Sequence, residues 1–160
     1  MVSDSLRALT ITILVIAFGA STVSCDLDFD SASGLRVGDC MAVPQAGDTI
    51  ESVRKQPCDG AHDAEVFADL TYPAGPEESY PADAAFDDFV QTTCIPAWAA
   101  YTGRTFATDT ELSINFLKPT VASWADGDRG LSCYTTRYGG GQLIGSVRNL
   151  GSSPLPVATP

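Results

Sequence analysis

The chain has 160 residues, with 9 Lys and Arg against 20 Asp and Glu and a formal charge of −11. A field of that sign opposes binding to nucleic acid and to anionic lipid head groups. The length suits one domain with a sizeable core rather than two.

The chain opens "MVSDSLRALTITILVIAFGASTVSC", where Arg7 precedes an apolar run from Ala8 to Ala20. That run has the length of a signal-peptide core and falls short of the roughly 20 residues that span a bilayer. Residues 1–24 are therefore expected to be an export signal. An uncleaved anchor is the alternative, because Asp4 offsets Arg7. The segment "STVSC" resembles a bacterial lipobox, which implies a diacylglyceryl group on Cys25 and cleavage just before it. Thr22 departs from the pattern, since an aliphatic residue is usual there; ordinary cleavage would instead leave Cys25 a free thiol. Two acyl chains suffice for a stable anchor, so the expected location is the outer face of the cell membrane, or the medium without lipid.

Residues 25–34, "CDLDFDSASG", read as an acidic spacer, 35–150 as the folded domain, and 151–160, "GSSPLPVATP", as a disordered or extended tail. With Cys25 set aside, Cys40, Cys58, Cys94 and Cys133 form an even set. In an oxidising compartment this implies two disulfides, with three possible connectivities among which sequence does not choose. Sequential pairing is the simplest expectation, the bridges contributing about 3 and about 4 kcal/mol on the chain-entropy model. No two cysteines stand in the close spacing of structural zinc, so cystines are favoured over metal.

Along the domain, "LRVGDCMAV" predicts a short strand with a turn or bulge at Gly38-Asp39. "DAEVFADLTY" alternates, placing Ala64, Val66, Ala68, Leu70 and Tyr72 on one face and Glu65, Asp69 and Thr71 on the other, with Phe67 out of pattern. In "YPADAAFDDFVQTTCIPAWAAYTG" the residues Phe86, Phe89, Val90, Cys94, Trp98 and Tyr101 recur at helical spacing, with Pro81 suited to the first turn. Pro96 predicts a kink or break near Thr93 to Ile95. "ELSINFLKPT", "GLSCYTTRY" and "GQLIGSVRNL" predict further strands joined by turns at "ADGDRG" and "GGG". The fold class expected is α+β: a mainly antiparallel sheet, covered on one face by one main helix that is kinked or broken, with two disulfides.

His62 is the only histidine. Asp59, Asp63 and Glu65 stand beside it. On a strand, residues three apart point to opposite faces, so a first metal shell from this stretch alone is not expected, the alternative being a loop that gathers Asp59, His62 and Asp63. The expected role of His62 is to bond a neighbouring carboxylate or backbone group and fix the loop after Cys58. In "ADGDRG", Asp126 and Asp128 lack the further ligands of a calcium loop, and a tight turn with Arg129 paired to an acid is expected. There is no G-x-S-x-G stretch to present a serine nucleophile. No catalytic residue, metal ligand or cofactor is assigned; paired carboxylates for glycoside chemistry are a spatial matter that sequence leaves open.

The order "GLRVGDCM", "CDGAHDAEVFA", an apolar helix with a cysteine, "PT…SWADGDRGLSC" and "LIGSVRN" resembles the septum formation domain of actinobacterial secreted and membrane proteins, over residues 34 to 149. Members often carry a proline before the histidine, where this chain has Ala61. The resemblance implies a domain outside the cytoplasm, sometimes held by a membrane helix or lipid, associated with cell division and without an assignable enzymatic activity. Two functional classes follow. One is a non-enzymatic envelope lipoprotein that binds a protein or cell-wall partner. The other is an exported enzyme, or a solute- or metal-binding protein, with a pocket near His62; burial of His62 away from any pocket would count against it.

Overall fold

A computed structural model describes residues 29–31, 34–43, 50 and 52–156. The expected export signal over 1–24, the lipidation site Cys25 and residues 157–160 of the expected tail lie outside them.

Eight strands are assigned among the described residues: β1 (Phe29–Ser31), β2 (Cys40–Met41), β3 (Ser52–Gln56), β4 (Ala61–His62), β5 (Ala64–Thr71), β6 (Leu112–Leu117), β7 (Gly130–Arg137) and β8 (Leu143–Ile144). Six form one sheet in the order β1-β3-β2-β5-β7-β6, and β4 pairs with β8 in a second, two-stranded sheet. Every pairing is antiparallel. Pairing of β1 with β3, Phe29 opposite Arg54, brings part of the expected spacer into the sheet.

The expected strand at "LRVGDCMAV" shrinks to β2, because Gly38 turns the chain with φ 97, a conformation that costs glycine little. Strand β5 forms where its alternation predicts, but its register against β7 shifts between Val66 and Ala68. The bulge corrects the expected single apolar face. Ala64 and Val66 pack with Leu35, Met41, Val53 and Tyr134 on one side of the sheet. Phe67 and Ala68 pack on the other side, beneath the helix. One extra residue reverses the side to which every later residue points. Phe67 is thus in pattern once the bulge is counted. Glu65, expected on the polar face, is wholly buried.

The main helix runs as α1 (Asp83–Phe89), a π-helical turn (Val90–Cys94) and α2 (Ile95–Thr102). Within an unbroken α-helix the ring of Pro96 would crowd the Thr92 carbonyl. Instead Ile95 N–H bonds Val90 O, five residues back, and Pro96 falls in the first turn of α2, where its missing donor is harmless. The predicted break is therefore a widened turn. Pro81 lies just outside the helix, ahead of the Ala82 cap. Gly103 ends α2 in the left-handed conformation, φ 72.

Phe86, Val90, Cys94, Trp98 and Tyr101 bury one helix face against Leu112, Leu131 and Cys133 of the sheet. Cys94 is bonded to Cys133 and Cys40 to Cys58, the sequential pairing. The fold class stands as expected: an antiparallel sheet with one main, interrupted helix on one face and two disulfides. Between β6 and β7, where a turn was expected, lies a short helix, α3 (Val121–Ala125), with a reciprocal cap between Thr120 and Ser123. Residues 151–156 correct the expectation of a disordered tail as far as they are described. Leu155 is buried in the helix-side core, and Arg104 donates to the carbonyls of Gly151 and Ser153.

Candidate functional site

The expected polar cluster divides into two groups at opposite ends of β5. At its start, the Pro57–Gly60 turn delivers β4, and pairing of His62 with Leu143 of β8 holds the imidazole inward. His62 is wholly buried. Its Nδ1 lies 3.0 Å from Gly60 O. A carbonyl only accepts, so the proton of this bond sits on Nδ1, and Nε2 points away from the loop. Nε2 has no hydrogen-bond partner and faces Glu65 Oε2 at 4.0 Å. The expectation that His62 fixes the loop after Cys58 through a backbone group agrees with this geometry.

Glu65 is the better-connected residue of the two. Its Oε1 accepts from Tyr101 Oη at 2.5 Å and Ser146 Oγ at 2.6 Å, and its Oε2 accepts from Val147 N at 2.8 Å. A buried carboxylate is tolerable only when donors replace its lost water, and these three do so. Burial, reinforced by the adjacent Glu65 carboxylate, pushes the Tyr101 hydroxyl up to about 12. The Arg148 guanidinium, 4.5 Å above the Tyr101 ring, opposes that rise and closes the group from outside. Sequence reasoning missed Tyr101, Ser146 and Val147 as partners. Tyr101 was visible only as part of an apolar stripe, although a buried tyrosine hydroxyl needs a partner.

Asp59 is exposed in the turn, apart from this group. Asp63 ties three segments: its N–H donates to Gln56 Oε1 and Met41 O, and its carboxylate accepts from Val43 N and Gln142 Nε2. Asp63 also lines an open cleft of about 420 Å³, shared with Asn115, Tyr134, Thr136, Arg137 and the 140–142 loop. Neither His62 nor Glu65 lines this cleft or the shallower one around Arg104 and Thr108.

At the far end of β5, Asp126 caps α3 and Asp128 accepts from Gly130 N at 2.8 Å, which makes the predicted turn. The expected acid partner of Arg129 is a correction. Its guanidinium donates to the carbonyls of Trp124, Asp128, Gly75 and Pro76 and stacks 3.6 Å over the Trp124 ring. Carbonyls on three segments offer the planar fork more bonds than one exposed carboxylate, and stacking adds cation–π attraction. Arg129 and Trp124 together pin the 75–76 loop.

His62 and Glu65 thus sit closed within the fold, and Arg129 serves as a structural tie. No curated protein and no solved structure matches the chain. Residues 37–152 match the family model described as septum formation, and the chain belongs to that family.

Proposed function

We propose that the protein is a non-enzymatic lipoprotein of the cell envelope, held at the membrane by acyl chains on Cys25, whose domain binds an envelope protein or cell-wall component. Membership of the septum formation family ties the chain to a role related to cell division. Two cystines, and the lack among the described residues of a helix long and apolar enough to cross a membrane, are compatible with an extracytoplasmic position. The observation that carries the non-enzymatic reading is the burial of His62 and Glu65, both at 0 % exposure, with the bonds they make directed to groups of the fold. A general acid or base must reach a substrate, and neither does.

The anchor is tested by intact-mass measurement of protein extracted from membranes. The expected species begins at Cys25 and carries added acyl mass; a chain starting at Cys25 without it refutes the lipid. Proximity labelling from the tethered domain in dividing cells tests the partner reading. Labelled envelope proteins enriched at the septum, and lost in Cys25→Ala, are expected; labelling indifferent to position in the cell contradicts it.

A further inference from the structure

The Cys40–Cys58 cystine packs against the histidine and the buried acid. Cys40 Sγ, a ring nitrogen of His62 and a carboxylate oxygen of Glu65 all lie within 4.8 Å of one another, and all three residues are buried. His62 Nε2 is an unpartnered buried nitrogen facing Glu65. Donation from Nδ1 to a backbone carbonyl, with the other ring nitrogen left for the metal, is how a ligating histidine is usually oriented. Glu65 is similarly prepared. Of roughly four lone-pair positions on a carboxylate, three accept hydrogen bonds, two on Oε1 and one on Oε2. The vacant position is on Oε2, the oxygen facing His62. Cys58 Sγ, bonded to Cys40 Sγ at 2.02 Å, brings a second sulfur to the edge of the same group.

We propose that reduction of this cystine converts the group into a four-ligand zinc site, formed by the Cys40 and Cys58 thiolates, His62 Nε2 and Glu65 Oε2. Two thiolates, an imidazole and a carboxylate are a donor set suited to tetrahedral zinc. The reductant is a dithiol, as a small molecule or a protein. Its thiolate attacks the sulfur of Cys58, which is partly exposed while Cys40 is buried, and releases Cys40 as a thiolate. The second thiol of the dithiol displaces Cys58. Two electrons pass to the protein, the dithiol becomes a disulfide, and two protons end on Cys40 and Cys58. Zinc binding then releases both protons to solvent. Two thiolates cancel the charge of the ion, so the buried group keeps the single negative charge that Glu65 already carries. The Cys94–Cys133 bridge, buried at both ends, holds the fold together throughout.

The test uses the full chain with Cys25→Ala, to remove the unrelated thiol. It is reduced gently until peptide mapping finds free thiols at Cys40 and Cys58 with Cys94–Cys133 intact. Zinc titration is expected to give one ion per chain after reduction and none before it, and cobalt in its place should show thiolate-to-metal charge transfer with the bands of a tetrahedral ion. His62→Gln should weaken zinc binding by about tenfold or more. If that variant does not fold, Cys58→Ser reads the loss of one sulfur in the same assay. Equal zinc binding by the oxidised and reduced proteins, a cobalt spectrum without the thiolate band, or unchanged affinity in a folded His62→Gln or Cys58→Ser variant would each overturn the proposal.

Discussion

Glu65 decides more of the local structure than any neighbouring residue, because three donors from two distant segments converge on one buried carboxylate. Glu65→Ala should therefore cost about 3–5 kcal/mol, since it strands the buried Tyr101 hydroxyl and Val147 N–H without water, and chemical denaturation measures it. Tyr101 adds a pH dependence. Its hydroxyl, pushed from the ordinary 10.0 to about 12, favours the neutral form in the fold. The folded protein then holds a proton that the unfolded chain loses, so this contribution is complete below pH 10 and is lost as the pH rises toward 12. Urea midpoints measured from pH 9 to 11 should fall, and Tyr101→Phe should flatten that slope; an equal slope in the variant would place its origin elsewhere.

Among the elements, the segment after α2 is organised by Arg104, which joins Asp109, Glu111 and the carbonyls of Gly151 and Ser153. Burial raises the Asp109 carboxyl, but the N–H groups of Glu111 and Leu112 and the Arg104 guanidinium outweigh it and hold the carboxyl below its ordinary 3.8. A lowered value in the fold means stability that is present above 3.8 and lost as the pH falls through the folded value. Asp109→Asn should lower stability at neutral pH by about 1–2 kcal/mol. That difference from the parent should shrink in acid, as thermal unfolding at pH 7 and pH 3 would reveal. The π turn before Pro96 was legible as a break, because a missing N–H and a steric clash are local facts. The bulge at Phe67 was not, since it exists only in the pairing of β5 with β7.

For the whole molecule, the two cystines divide the work. Cys94–Cys133 joins the helix to β7, the strand beside the β6 edge of the sheet, across 39 residues of sequence. Cys40–Cys58 closes 18 residues between β2, inside the sheet, and the turn before β4. Replacing Cys94 and Cys133 together by Ala should cost about 4 kcal/mol, and the shorter bridge about 3, on the loop-entropy relation. Calorimetry of both double variants checks the order; a larger loss at the shorter loop would show that packing around Cys40, not chain entropy, dominates. Residues 151–156 belong to this scale too. Leu155 enters the helix-side core, a contact that the Pro- and Ser-rich composition of the segment does not signal.

Residue order alone determined the strands with period two, the interrupted helix, the turn at Gly38-Asp39 and the even set of cysteines, because each rests on contacts within a few residues. The same locality left α3 available in its Thr120 and Ser123 cap, although the turn residues after it dominated the reading. Only the tertiary structure decided which sulfurs join, which side of the sheet receives each half of β5, and what surrounds His62 and Glu65. Those outcomes depend on segments 18 to 82 residues apart meeting in one core. A buried carboxylate is set by the donors that reach it, and no spacing within "HDAE" names Tyr101, Ser146 or Val147.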